Sequence, residues 1–205
     1  MKRAPRPRSR FRRIVREIAF LTVVVGLLLS ARSSLADHYR VPTGSMIPTV
    51  EVGDRVIVNK AAYGLRVPFT DAYITTYGGP YRGDVVVLDS PEDDKVLLKR
   101  VVGLPGDVIS VRDGRILLNR KPVAVYAGGD ALHERLGDRL HAVRLDHGGG
   151  SDYGPVEIAE GRYLVMGDNR GLSHDGREFG LVERRAIFGR AVAVYWRHGP
   201  VWQDL

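Results

Sequence analysis

The sequence contains no cysteine among its 205 residues, and this absence removes several chemical options. Disulfide bonds, thiolate-ligated zinc and cysteine nucleophiles all require the missing side chain. Histidine is sparse as well: there are six, none in an H-E-x-x-H motif or comparable metal-binding spacing, and none is a convincing catalytic base. We therefore expect no metal and no cofactor, and a nucleophilic reaction would have to use a hydroxyl group.

Acidic residues are nearly absent from residues 1–17, where Glu17 stands with eight basic residues. The chain has 31 basic and 24 acidic residues, so the rest of it carries 23 of each sign. The net charge of +7 therefore belongs to this basic tail, whereas a nucleic-acid-binding domain would have a basic face of its own. We expect no nucleic-acid partner; the tail indicates contact with anionic lipid and a cytoplasmic N-terminus.

A long hydrophobic run is also missing. The apolar stretch at 18–31 has 14 residues, and a membrane-spanning helix needs about 20. This length suits a removable export signal, and Ser34, Leu35 and Ala36 form a small-x-small cleavage pattern. Residues 30–36 can instead extend the run into an anchor, with Arg32 reaching the interface. This segment alone supports both interpretations equally, and either one sends the body of the protein out of the cytoplasm.

Short runs rich in β-branched residues dominate the remaining chain, separated by Gly-Asp, Pro-Gly-Asp and Asp-Gly turns. We predict a mainly β protein, with an antiparallel barrel or sandwich-like domain at 37–205 behind one transmembrane helix at 18–36. Residues 126–160 are polar and rich in glycine, and we interpret them as a small insertion or subdomain outside the core. The predicted strands lie at 54–60, 83–90, 95–103, 107–111, 115–123, 161–168 and 189–196.

The stretch VPTGSMIPTV, residues 41–50, places a serine between a glycine and a methionine. Ser45 is either a turn residue or a nucleophile, and the G-x-S-x-G motif of hydrolase elbows is absent. Its candidate base is Lys99 in KVLLKRVVG, where strand alternation puts Lys99 and Arg100 on opposite faces, one of them apolar. Arginine keeps its proton, whereas lysine loses it readily when desolvated. The alternative, a lysine in solvent at a sheet edge, stays open.

A third segment, MGDNRGLSHDGREFG at 166–180, is dense in polar residues. Ser173 could orient a lysine amine, and Asp175 and Arg177 could brace the loop as an ion pair. The same composition also suits an ordinary surface turn.

Four segments together resemble the successive motif boxes of the bacterial type I signal peptidases. They are PTGSMIPT (42–49), GDRVIVNKAAYG (53–64), KRVVGLPGD (99–107) and GDNRGLSHDGR (167–177). The resemblance implies a membrane-anchored serine protease with Ser45 as nucleophile and Lys99 as general base. It further implies that Thr43 stabilises the oxyanion together with the Ser45 amide. The remaining implied roles are contact with the lysine for Ser173, and bracing of the loop for Asp175 and Arg177.

The resemblance also implies a function: removal of N-terminal signal peptides from exported preproteins after small residues. We then expect an uncleaved anchor, membrane lipid as a partner, a monomer, and a domain on the outer face of the cytoplasmic membrane. The loop departs from the family pattern at Gly171, Leu172, Gly176 and Glu178, between the functional positions. Two alternatives remain, a self-cleaving serine/lysine regulatory protease and a non-catalytic exported β domain.

Overall fold

The computed structural model describes residues 7–68, 70, 72–129 and 131–205. It begins with one long helix, α1 (Pro7–Ser34), whose segment Phe11–Ser34 is long and apolar enough to cross a membrane. Its apolar side chains are exposed in the described part of the chain; Phe20 is 70% exposed and Leu27 is 66% exposed. Apolar side chains with no protein partner favour a lipid environment.

The rest of the described chain is almost entirely β-structure, with one short helix, α2 (Gly176–Phe179). Its strands are β1 (Ala36–Arg40), β2 (Arg55–Asn59), β3 (Gly64–Arg66), β4 (Tyr73–Thr76), β5 (Val85–Asp89), β6 (Val96–Gly103), β7 (Val108–Arg112), β8 (Arg115–Leu118), β9 (Lys121–Pro122), β10 (Val125–Gly128), β11 (Ala131–Leu136), β12 (Arg139–Val143), β13 (Tyr153–Glu157), β14 (Arg162–Met166), β15 (Val182–Glu183), β16 (Ile187–Trp196) and β17 (Pro200–Asp204).

The main sheet has the strand order β1-β2-β16-β5-β6-β14-β15, and β17 also pairs with β16. Three smaller sheets accompany it: β13-β7-β8-β9, β10-β11-β12 and β3-β4. Neighbouring strands in these sheets run antiparallel, and register shifts in β16 and β14 let the main sheet curl. The predicted fold class, mainly antiparallel β behind one apolar N-terminal helix, is confirmed.

Each predicted strand segment contains a strand, but one of them is divided. The run 115–123 breaks into β8 and β9 because Asn119 and Arg120 have positive φ angles of 52° and 67° and form a turn. The sequence also concealed shorter strands, among them β1, β3, β4 and β17.

The polar segment at 126–160 is more ordered than its composition indicates. It holds most of the β10-β11-β12 meander and also β13, which pairs with β7. Leu136 and Ile158 are 1% exposed and pack with Ile109 and Met166 in a core cluster. The expectation that this segment lies outside the core is therefore wrong for these two residues, because isolated apolar positions give no periodic signal in a polar stretch.

The helix leads directly into the main sheet. Helix α1 ends at Ser34, and Ala36 already pairs with Asn59 of β2. The carbonyl of Leu35 accepts a hydrogen bond from the Lys60 amide at 2.9 Å. The end of the apolar helix is thus held at the edge of the sheet, and the 41–50 segment follows one strand later.

Candidate active site

The loop at 41–50 is fastened to the core on both sides of its serine. Met46 is fully buried and packs with Val56 and Val87, and Val50 donates its amide to the Met46 carbonyl at 2.9 Å. Val41, before the serine, is 5% exposed and belongs to the same cluster. Ser45 is half-buried between Val41 and Met46 and lines a groove of about 760 Å³. Because its flanks are rigid, the Ser45 hydroxyl is presented to the groove by a fixed backbone.

Asn169 holds this loop from the neighbouring chain segment. Its backbone amide donates to the Ser45 carbonyl at 3.0 Å, and its side-chain Nδ2 donates to the Gly44 carbonyl at 3.0 Å. A Cβ atom at Gly167 would overlap the Ser45 carbonyl and the Ser173 hydroxyl, so the close approach requires glycine there. Two successive carbonyls of the serine loop are therefore fixed by one residue.

Lys99 lies on β6, an internal strand between β5 and β14, and is 3% exposed. The alternative that it sits in solvent at a sheet edge is therefore wrong. Its Nζ donates a hydrogen bond to Ser173 Oγ at 3.0 Å. Burial lowers the pKa of Lys99 to about 8, although the nearby Asp175 carboxylate opposes this shift.

The two predicted reacting groups face the same groove. Lys99 and Ser45 both line it, together with Thr43, and no hydrogen bond joins Lys99 to Ser45 in the described part of the chain. Nucleophile–base contacts are often longer in an unliganded enzyme and shorten when substrate binds. The missing bond is therefore compatible with a nucleophile and base that open into one shared groove.

The loop at 166–180 contains a buried ion pair between Asp175 and Arg177. Arg177 Nε lies 2.8 Å from Asp175 Oδ1, and Asp175 Oδ2 accepts the Gly167 amide at 2.9 Å. Burial alone would raise the pKa of Asp175, but the Arg177 guanidinium outweighs it and the pKa is lowered. Arg177 also donates to the carbonyls of Gly149 and Arg170, both at 2.7 Å. The surface-turn alternative is wrong for this pair because both side chains are buried.

Two further ion pairs beneath the groove were missed from the sequence. Arg100, predicted only as the partner of Lys99 on the opposite face, is also buried and binds Asp168 through two hydrogen bonds of 2.8 and 2.7 Å. Asp168 in turn accepts the Thr49 hydroxyl at 2.6 Å. The GDNR motif in the sequence pointed to Asp168 as a residue of interest. No local feature of the sequence indicated that the adjacent cations Lys99 and Arg100 would both be buried.

Arg170 forms the second pair with Glu134, which comes from the meander formed by β10, β11 and β12. Both side chains are fully buried, and Arg170 also donates to the Gly114 carbonyl at 2.6 Å. His141 Nε2 lies 3.4 Å from the same carboxylate. These contacts join the 126–160 segment to the site; in the sequence Glu134 is one charge among many.

The groove has an apolar wall and a charged rim. The apolar wall is formed by residues of β1, β2, β5, β6 and the serine loop, among them Tyr39, Ile47, Val56, Val87, Leu97 and Leu98. Exposed Leu172 of the 166–180 loop also lines the groove. On the rim, His174 contacts Glu92 at 2.6 Å and also Glu178, and these carboxylates raise its pKa. Within the described residues, no group of three or more histidine or acidic side chains could hold a metal ion.

The family model for "Signal peptidase, peptidase S26" matches residues 14–196. The chain belongs to this family. The match includes every residue that the sequence placed in the candidate site, and the resemblance noted from the four motif segments is confirmed. As a member of a peptidase family with this groove, the chain is a hydrolase of peptide bonds.

Relatives agree along most of the chain. A signal peptidase I of Pseudomonas fluorescens is 36% identical over 203 residues, covering 86% of this chain and 70% of the relative. A signal peptidase I of Pseudomonas aeruginosa is 37% identical over 204 residues with the same coverage. A solved structure of a signal peptidase I from Enterococcus faecalis is 24% identical and matches 57% of this chain and 100% of its own, with a TM-score of 0.39.

Proposed function

We propose that this chain is a membrane-anchored serine endopeptidase that removes N-terminal signal peptides from exported preproteins. Ser45 is the nucleophile and Lys99 the general base. The relatives named signal peptidase I support the substrate class. The observation that carries the proposal is a buried lysine, with its pKa lowered to about 8, opening into the same groove as a serine on a rigid loop.

The reaction begins with Ser45 Oγ attacking the scissile carbonyl of a peptide bound in the groove. Neutral Lys99 accepts the hydroxyl proton as the Oγ–C bond forms, and the resulting ammonium protonates the leaving amine as the C–N bond breaks. Lys99, neutral again, then takes a proton from a water whose oxygen bonds to the acyl carbon, and the resulting ammonium returns that proton to Ser45 Oγ as the Oγ–C bond breaks. This step regenerates the serine and releases the signal peptide with a new carboxyl terminus. Ser173 is a positioning residue that holds Nζ through its 3.0 Å hydrogen bond.

Thr43 and the Ser45 amide form the oxyanion site in this proposal. The Ser45 N–H has no hydrogen-bond partner in the described part of the chain, whereas its carbonyl is held by Asn169. Thr43 is exposed and lines the groove two residues before the nucleophile. One such donor is typically worth about 3 kcal/mol of transition-state stabilisation.

Specificity for small residues would follow from the apolar wall. A peptide that lies extended against Val87, Leu97 and Leu98 presents alternate side chains to that surface. The wall sits on the packed core, so large side chains there would have to displace buried groups. Small residues near the scissile bond avoid this cost.

Helix α1 serves as the anchor in this proposal, with the basic tail 1–17 in the cytoplasm and residues 37–205 on the outer side. The chain would act as a monomer in contact with membrane lipid. The Ser34–Ala36 site would escape cleavage because Ser34 is 5% exposed and Ala36 is paired in β1. A peptidase needs an extended, unpaired segment, so separating β1 from β2 would have to precede self-cleavage.

The test uses the full chain purified in detergent and a preprotein with a small-x-small site. Ser45→Ala and Lys99→Ala should each lower the cleavage rate by about 10³-fold or more. Two matched controls away from the groove, Ser110→Ala and Lys121→Ala, should retain wild-type rates, and thermal melting should show that every variant folds.

Full cleavage by Lys99→Ala would refute the dyad. Cleavage restricted to the chain's own N-terminal region would instead support a self-cleaving regulator. Inertness toward the preprotein and toward serine-directed acylating inhibitors would support a non-catalytic domain.

A further inference from the structure

Arg144 lies beside the candidate active site on a segment that the sequence did not connect with it. It follows β12, and its amide donates to the Asp168 carbonyl at 2.9 Å while its own carbonyl accepts the Arg170 amide at 2.9 Å. Asn169, between those two residues, holds the Ser45 carbonyl. Adjacent extended segments lie about 5 Å apart, so the Arg144 backbone is roughly 10 Å from that of Ser45.

Arg144 is a groove-lining residue whose half-exposed side chain is available for a new contact. It lines the groove with Thr43 and Ser45, and it is 47% exposed. Its ion-pair partner in the described residues is Asp146, 3.3 Å away and 45% exposed. A pair this exposed contributes at most about 1 kcal/mol, so replacing Asp146 by another carboxylate costs little.

The residues that line the groove include more cationic side chains than carboxylates. Its two carboxylates already have cations of their own, since Glu92 contacts His174 and Asp93 contacts Lys95. Arg144 therefore has no competing carboxylate within the groove-lining set. The apolar wall is formed by β1, β2, β5, β6 and the serine loop, whereas Arg144 belongs to the segment beyond Asn169.

We propose that Arg144 is a specificity-determining residue that pairs with an acidic side chain of the substrate just after the scissile bond. This inference rests on the proposed function. The apolar wall accommodates the residues before the scissile bond, and Arg144 then faces the first residues of the released chain. A roughly 10 Å separation from Ser45 corresponds to about three extended residues, and the arginine side chain reduces it to two. The substrate class is a preprotein with Asp or Glu at the second position after cleavage.

The test compares three internally quenched peptides that differ only by Glu, Gln or Lys at that second position, and the ratio measured is that of the Glu to the Gln peptide. The full chain in detergent micelles should cleave the Glu peptide with about a fivefold higher kcat/KM at low salt, and the ratio should shrink as salt rises. Arg144→Gln should bring the ratio close to one, and Arg144→Glu should make a Lys peptide the better substrate. Asp146→Asn should increase the preference for Glu because it removes the competing carboxylate.

Each ratio compares kcat/KM for two peptides on the same protein sample, so a lower concentration of folded enzyme affects both values equally and does not change the ratio. The matched control is Arg112→Gln, since Arg112 is also half-exposed and lies 3.6 Å from Asp152 away from the groove. That variant should keep the wild-type ratio. A wild-type ratio of one, a ratio that persists in Arg144→Gln, or a ratio lost in Arg40→Gln instead would overturn the proposal. Failure to cleave either peptide would overturn the proposed function.

Discussion

The dependence of cleavage on pH gives the sharpest test of Lys99 as the base. A general base must be neutral to accept the Ser45 proton, and burial lowers the pKa of Lys99 from 10.5 to about 8. At pH 7.5 about a quarter of the molecules would then hold neutral Lys99, compared with about one in 1,000 for an ordinary lysine. Burial therefore increases the active fraction at this pH by about 200-fold.

The assay measures kcat/KM between pH 6 and 10 with a peptide that has no titrating group. We expect a rise of about tenfold per pH unit below pH 7 and a plateau above about pH 9. His174 also lines the groove, and its pKa is raised by Glu92 and Glu178. The variant His174→Gln should leave the midpoint near pH 8, which separates Lys99 from this neighbour.

Two results would refute this reasoning. A rate that still rises about tenfold per pH unit up to pH 10 would mean that Lys99 is solvated in the working enzyme, and a rate that does not change with pH would mean that its proton is not involved. A midpoint that disappears in His174→Gln would assign the titration to the histidine.

Three other perturbations have expected outcomes. Ser173→Ala removes the 3.0 Å hydrogen bond to Lys99 and should lower kcat by about 10- to 100-fold with little change in KM, as steady-state kinetics would show. The control variant Ser110→Ala should keep the wild-type kcat and KM. Asn169→Ala removes the hydrogen bond to the Gly44 carbonyl but keeps the backbone hydrogen bond to Ser45. We therefore expect kcat to fall by about tenfold and the free energy of unfolding to fall by about 1 kcal/mol. An unchanged kcat would contradict the positioning role of Asn169. Lys99→Met should abolish cleavage yet raise the free energy of unfolding at pH 7 by about 1–3 kcal/mol, because a lowered pKa means that the protonated lysine opposes folding below pH 8. Denaturant titration should show this gain in stability disappearing as the pH rises toward 10.5. Equal stability of the two proteins at pH 7 would contradict the burial of Lys99.

The strand pattern was predictable because it depends on local periodicity. Alternating β-branched residues and Gly-Asp turns identified the segments that became β2, β5, β6, β7, β14 and β16. The pairing order β2-β16-β5 joins segments that are far apart in the chain, and no local signal specifies it. The ordered meander at 125–143 was missed for the related reason that its few buried side chains are scattered among polar ones.

The candidate site shows the same division. Ser45, Lys99, Thr43 and the Ser173 loop were identified from motif segments whose residues are close in sequence. The supporting contacts were not, because Asn169 reaches the serine loop and Glu134 reaches Arg170 across long stretches of chain. Such contacts exist only once the sheets have packed together.

The sequence by itself limited which side chains could do chemistry here, since it has no cysteine, no metal-binding motif and a lysine within a largely apolar strand segment. It also determined where an apolar helix stands relative to that loop. Tertiary structure decided how those groups behave. Lys99 has a lowered pKa because strands β5 and β14 enclose it, and Ser45 faces the groove because Asn169 and the core hold its loop. Desolvation and orientation are properties of surroundings, and the surroundings form only in the folded chain.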